Sequence, residues 1–274
     1  MNRERRWFYV TSFCDGLSDT HGNLTMDKLI RLRRECEQGL RHMTKDDYVI
    51  ICGDFGLLWN YESLGRSIGS NTTDWCWAED EIKLFEWYNS CPWTTLWVDG
   101  NHENYDRLQT YPFSDWHGGR VQKISDSIIH LMRGEIYEIE GHTYFCMGGA
   151  MSTDRGYATG TEKFDIHKWW WPQEIPSSAE WENAYNHLDE VDWKVDFVIT
   201  HDAPAYVIMQ PELARLLYRA SEVGNHLESM RTNIDFIHWF CGHLHIDRHY
   251  GKVSVLYHDI VDVEDFLGEN SWQF

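Results

Sequence analysis

No stretch of this chain is apolar over the roughly 18 residues that a helix needs to cross a bilayer, which excludes a helical membrane protein by sequence. The opening "MNRERRWFYVTSF" starts basic, but its apolar part is too short and too interrupted for a secretory signal. Positive charge is also scarce. Against 44 acidic side chains stand 24 basic ones, a formal charge of −20, so long-range electrostatics repel polyanions and no broad nucleic-acid surface is expected. A local metal site could still overcome that repulsion at a single phosphate. There is no Cys-x-x-Cys, and the seven cysteines are odd in number, with Cys52, Cys146 and Cys241 inside or at the ends of apolar runs. They read as reduced and structural, and the chain as a soluble cytoplasmic protein. Tandem repeats, low-complexity tracts and linkers are absent as well, so residues 1–274 are expected to form one domain.

What the chain does have is a series of short apolar runs: "RWFYVTSF" (6–13), "YVIIC" (48–52), "TTLWV" (94–98), "SIIHLM" (127–132), "DFVIT" (196–200), "DFIHWF" (235–240) and "KVSVLY" (252–257). Runs of this length, rich in β-branched and aromatic residues and without alternation, predict strands covered on both faces. A hairpin is expected to turn at Glu140-Gly141. Between the runs lie helical patterns: 26–40 behind Thr25, a helix capped by Asp74 with Trp75, Ala78, Ile82 and Phe85 on one face, another opening at Ser177 or Ser178 with Trp181, Tyr185 and Leu188 aligned, and one from Pro211 to near Gly224. The order of elements indicates an α/β sandwich.

Four of the runs lead directly into polar residues. "YVIIC" is followed by Gly53-Asp54, "TTLWV" by Asp99-Gly100-Asn101-His102-Glu103, "DFVIT" by His201-Asp202, and "DFIHWF" by Cys241-Gly242-His243-Leu244-His245. Sites in open α/β sheets gather at the carboxyl ends of strands, which would place these side chains on one rim. "SDTHGN" adds Asp19 and His21 after the first strand. In extended or loop backbone His243 and His245 would project the same way, about 6.6 Å apart along the chain, a separation better suited to two neighbouring ions than to one. Taken alone, such a pair could equally be a satisfied polar residue and a solvated one.

The ordered set, Asp-x-His, Gly-Asp, Gly-Asn-His-Glu, a lone His and Gly-His-x-His over residues 19 to 245, resembles the calcineurin-like metallophosphoesterase superfamily, in particular its small bacterial and phage members. The resemblance implies a four-layer αββα sandwich of two mixed β-sheets flanked by helices. It implies a dinuclear centre in which Asp19, His21 and His245 hold one divalent ion, Asn101, His201 and His243 hold the other, and Asp54 bridges them. Mn, Fe, Zn or Ni suits such mixed N/O ligands, with Mn favoured. The implied activity is hydrolysis of a small phosphoester, with His102 steadying the transition state or protonating the leaving oxygen. A catalytically silent scaffold of the same fold and a metal-dependent nuclease are the alternatives. The oligomeric state stays open.

Two features depart from the family pattern: "SFCDGL" stands between the first strand and Asp19, and the second motif, Gly-Asp-Phe-Gly, lacks the Asp-Arg-Gly extension of the Ser/Thr protein phosphatases. Asp15-Gly16 precedes Asp19 and offers either a competing acid or, as favoured here, a turn. Glu103 and Asp99 are either supports of the site or merely solvated. Trp169, Trp170 and Trp171, next to Pro172, form either a stacking rim or, preferentially, a hydrophobic clasp over the core. His117, His130, His167 and His258 fit no motif and are expected to be structural.

Overall fold

The computed structural model describes residues 8–11, 22–59, 79–152, 167, 170–214 and 220–268. In chain order they form β1 (Phe8–Thr11), α1 (Gly22–Glu37), β2 (Tyr48–Cys52), α2 (Glu79–Ser90), β3 (Thr94–Val98), α3 (Tyr105–Leu108), β4 (Phe113–Trp116), β5 (Gly119–Ser125), β6 (Ile128–Leu131), β7 (Glu135–Ile139) and β8 (His142–Met147). The second half adds α4 (Ser178–Glu190), β9 (Phe197–Thr200), α5 (Ala205–Ile208), α6 (Pro211–Ala214), α7 (Glu222–Arg231), β10 (His238–Cys241), β11 (Arg248–Tyr250), β12 (Val253–Val255) and β13 (Val261–Asp262).

The strands form two mixed sheets, ordered β13-β1-β2-β3-β6-β5-β4 and β11-β12-β10-β9-β8-β7. The centres are parallel (β1 with β2, β2 with β3, β3 with β6; β8 with β9, β9 with β10, β10 with β12) and the edges antiparallel. Their alternating side chains explain why the runs carry no polar alternation. Ile50, Cys52, Leu96 and Val98 of the first sheet meet Tyr144, Cys146, Phe197, Ile199 and Phe240 of the second in one core between the sheets. Their neighbours Val49, Ile51 and Trp97 point the other way, onto Leu29 and Leu32 of α1 and Tyr88 of α2. On the far side, Val198, Trp239 and Cys241 pack on Trp181, Ala184 and Leu188 of α4 and on Val223, Leu227 and Met230 of α7. Helix, sheet, sheet and helix thus stack in four layers, as the motif order implied.

Local chemistry sets several boundaries. Ser177 caps α4 in a reciprocal box with Glu180, and Ser221 caps α7. The hairpin turns at Glu140 and Gly141, both left-handed (φ 52° and 85°), joining Ile139 to His142.

Four expectations need correction. Helix α1 begins at Gly22, with Thr25 inside it rather than at its cap, and it closes in a Schellman pattern. There Gly39 (φ 71°) donates to Cys36 O and Leu40 donates to Glu35 O, which leaves Leu40 outside the core and 72% exposed. Helix α2 turns Glu81 inward, where it pairs with Arg107, and leaves Ile82 half exposed; Asp74, Trp75 and Ala78 lie outside the described residues. The single helix from Pro211 to Gly224 is two: α6 stops at Ala214, and Gly224 lies in the first turn of α7, where a Cβ would sit 3.0 Å from Ala203 O. The strands "DFIHWF" and "DFVIT" begin later than their apolar runs, at His238 and Phe197.

Candidate metal centre

The parallel strands of both sheets deliver their carboxyl ends to one place. From the first sheet, β2 runs into Asp54 and β3 into Asn101 and His102; from the second, β9 runs into His201 and β10 into His243. Asp54 and His243 take left-handed backbone (φ 55° and 64°), as does His245 (φ 53°). Non-glycine residues adopt that region at a cost that the surroundings must offset, and such outliers gather at functional sites. Here the reversal ends each strand abruptly and turns the side chain back over the strand end. The chain around His243 and His245 is therefore a bend, with Leu244 N–H donating to Gly242 O, and not extended backbone.

Two glycines make room. A Cβ on Gly53 would stand 2.1 Å from His201 Nδ1, and a Cβ on Gly100 2.1 Å from Asp54 Oδ1. No side chain larger than hydrogen fits either position without moving a site residue.

Ligand-bearing atoms of Asp54, His201 and His243 all lie within 4.8 Å of one another. The hydrogen bonds define their chemistry further. His201 Nδ1 lies 2.7 Å from the carbonyl of Cys52, which can only accept, so Nδ1 carries the proton. Nε2 faces Asp54 Oδ1 at 3.2 Å and Asn101 Oδ1 at 3.1 Å, where it donates when the imidazole is protonated and offers a lone pair to an ion when it is not. Three ligand-bearing atoms converge in a place without bulk solvent, since His201 is fully buried and Asp54 nearly so. Such a cluster calls for positive charge, and its mixed nitrogen and oxygen donors suit a borderline divalent ion. The remaining contact to Asp54 is the His102 N–H, 2.9 Å from Oδ1.

Titration follows the same field. Burial alone would raise the Asp54 carboxyl, but His201, by charge and hydrogen bond, with His102 and His243, holds it well below the usual carboxylate range. His201 is raised although burial opposes it, because Asp54 stands beside it. Burial lowers His243 and keeps its lone pair available. Burial first and then the Asp54 charge push Glu103 up to about 8, while its carboxyl accepts the Phe55 N–H at 2.9 Å.

Of the seven expected ligands, the fold gathers Asp54, Asn101, His201 and His243. His245 lies on the same bend, exposed, its ring stacked on Tyr257 at 5.2 Å. Asp19 and His21, like Asp15, lie outside the described residues. His102 stands at the rim with Trp59 6.0 Å away.

The family model described as calcineurin-like phosphoesterase matches residues 16–247. The chain belongs to the calcineurin-like phosphoesterase family. Among curated relatives of this family member are the lariat debranching enzymes of Drosophila melanogaster and Drosophila pseudoobscura pseudoobscura, each 22% identical over 223 residues, covering 74% of this chain. The matches cover 38% and 37% of the relatives' own lengths, so the chain spans about two fifths of the curated proteins it matches. A solved structure from Staphylococcus aureus, described as a 5′-nucleotidase in complex with alpha-ketoglutarate, aligns over 91% of this chain and 48% of that one, with 18% identity and a TM-score of 0.43. No helix among the described residues is long and apolar enough to cross a membrane.

The residues left open by sequence now have places. Asp99 and Glu103 are both buried rather than solvated. Trp171 is fully buried against Trp59 and Tyr105 and donates from Nε1 to Asp106 at 2.9 Å, the clasp that was favoured; Trp169 lies outside the described residues. Of the histidines outside the motifs, His117, His167 and His258 are exposed and bonded through Nδ1 to Glu138 O, Asp106 and Asp247, while His130 is buried between Gln122 and Asp99.

Proposed function

We propose that this chain is a dinuclear, metal-dependent hydrolase of small phosphoesters. The observation that carries the reading is the convergence of Asp54 Oδ1, Asn101 Oδ1 and His201 Nε2, with His243 beside them, at the joint carboxyl rim of the two sheets. Asn101, His201 and His243 would hold one divalent ion and Asp19, His21 and His245 the other, with Asp54 shared between them. The family match opens at residue 16, a span that includes Asp19 and excludes Asp15, which supports Asp19 as the acid of the first motif. Bound there, divalent ions supply Lewis acidity for the phosphoryl oxygens and for an attacking water, and Mn fits the mixed donor set.

The protein's own residues do the rest. Asp54, kept ionised by its histidine neighbours, supplies the shared negative charge. His201 is oriented by the Cys52 carbonyl, which leaves Nε2 free to act as a ligand. His102 follows ligand Asn101 directly, so the same turn sets its imidazole beside the bound substrate, where it steadies phosphoryl charge or hands a proton to the leaving oxygen. Trp59 backs its ring.

The test is hydrolysis of nitrophenyl mono- and diesters, nucleotides and cyclic nucleotides, each with Mn, with Zn and after chelation. Metal-dependent turnover of one class supports the proposal; no turnover of any by a metal-loaded protein would favour a silent scaffold. The debranching-enzyme relatives are reason to add a lariat substrate, although the net charge of −20 disfavours an extended track for polyanions.

A further inference from the structure

The turn that carries Asn101 and His102 is held at both ends by one side chain that does not reach the site. Arg133 lies just before the left-handed Gly134 (φ 75°) and is 5% exposed. Its Nε donates to Asp99 Oδ2 at 2.8 Å, and the two hydrogens of Nη2 face three acceptors within hydrogen-bond distance, the same Asp99 oxygen, the Tyr105 hydroxyl at 2.8 Å and the carbonyl of Gln173 at 2.8 Å. Nη1 reaches Glu180 of α4 at 3.2 Å. Asp99 and Tyr105 bracket Gly100–Asn104, and the Tyr105 hydroxyl also lies within hydrogen-bond distance of the Gly100 carbonyl and of Asp99. On its other side Gly100 is packed against Asp54, whose Oδ1 accepts from His102 N–H.

From this arrangement we infer that Arg133, acting through Asp99 and Tyr105, is the positioning residue for the Asn101–His102 turn, and so sets the affinity of the ion that Asn101 holds. The inference rests on the metal-site reading above. A guanidinium is the group for this place. Its planar fork meets a carboxylate, a hydroxyl and a carbonyl at fixed angles, which an ammonium on a flexible stem does not reproduce. Gly134 keeps the fork close to α4, because a Cβ there would lie 2.8 Å from the Ala184 nitrogen. Any slip of the fork moves Gly100, and Gly100 cannot move without moving Asp54. Support of this kind typically alters metal affinity or activity by about 10–100-fold.

Removing the Arg133 charge outright would leave buried Asp99 with His130 alone beside it, at 3.2 Å, and unfolding would then mask any effect on the site, so the test uses milder changes. Tyr105→Phe deletes one hydroxyl and leaves the ring between Trp59 and Trp171; Arg133→Lys keeps the charge and loses the fork. Each apo protein is titrated with Mn(II) by calorimetry. The expected result is a loss of about 10–100-fold in affinity at one of two sites. A control, Asp196→Asn, loosens the amino ends of the strands, where Asp196 accepts from Thr143 N and Oγ1 at 2.8 and 2.9 Å. It should lower Tm and leave both affinities alone, which separates positioning from general destabilisation. Folded Tyr105→Phe and Arg133→Lys with parental Mn(II) affinities would overturn the inference. A parent that binds no divalent ion would overturn it together with the metal-site reading. A parent that binds two ions but hydrolyses no phosphoester would overturn the proposed function alone.

Discussion

Replacing Gly100 by alanine isolates what the close approach of the two motif turns is for. No left-handed backbone is required at Gly100, so an L side chain is permitted there on conformational grounds. Space is the obstacle. The added methyl would lie 2.1 Å from Asp54 Oδ1 and 2.4 Å from the Asp54 nitrogen, where ordinary contact begins near 3.4 Å, so the carboxylate or the turn must give by more than an ångström. Overpacking of this kind costs about 1–3 kcal/mol, a fall in Tm of roughly 2–10 °C for a chain of this size. A 1 Å error at a reacting centre can cost about 100-fold in rate, so the functional loss should far exceed the loss of stability. Gly39→Ala is the counterpart: φ is 71° but nothing lies within 4 Å, so it should cost about 1 kcal/mol of backbone strain and leave the site intact. The assay is Tm by calorimetry with kcat and bound metal on both variants. A Gly100→Ala protein that keeps two ions and turns over within three-fold of its parent would refute the packing argument.

Three further outcomes are expected. Glu81→Gln takes the carboxylate from the buried guanidinium of Arg107, which it meets at 2.8 and 2.9 Å, and should cost about 3–5 kcal/mol in urea unfolding; less than 1 kcal/mol would mean the pair is not needed. Burial, with His249 and Lys252, holds His238 down to about 3, so below the ordinary histidine value of about 6.5 the unfolded chain takes up a proton that the folded one does not. Stability should therefore rise with pH between about 3 and 6.5, by up to about 5 kcal/mol from this group, and urea titrations of His238→Asn across that window should be flatter; equal slopes would remove His238 as the cause. His102→Ala should lower kcat about 10²–10⁴-fold on an alkyl phosphoester, and less on a nitrophenyl ester, with metal content unchanged; parental rates on both would take His102 out of the mechanism.

Much of the framework is legible in the chain because the central strands are covered on both faces. "YVIIC" and "TTLWV" show no polar alternation because one face meets helices and the other meets the second sheet. Edge strands escape that logic: β4, "FSDW", has three exposed residues and no apolar signal, and β11 opens with exposed Arg248 and His249. Helix phase fails where an inward residue is charged. Glu81 is buried only because Arg107 comes to it from 26 positions away, a partnership that periodicity cannot reveal. Leu40 continues the apolar period of α1 on paper, but the glycine before it has already turned the backbone. At the centre, the motif order anticipates Asp54, Asn101, His201 and His243, and the glycines before Asp54 and Asn101 were the unused signal of how tightly those residues are packed. Arg133 lies in the run "SIIHLMRG", part of the wider pattern that resembles the family, but neither it nor Tyr105 shows its role in the chain, since that role exists only once two distant turns meet.

Metal content tests the account most directly. The parent, loaded with Mn and freed of excess, should retain two ions per chain, and Asp54→Ala should lose occupancy at both positions, because the proposed centre shares that carboxylate between its two ligand sets. Retention of two tightly bound ions by Asp54→Ala would contradict the shared carboxylate, and a parent that binds no ion would contradict the metal centre itself.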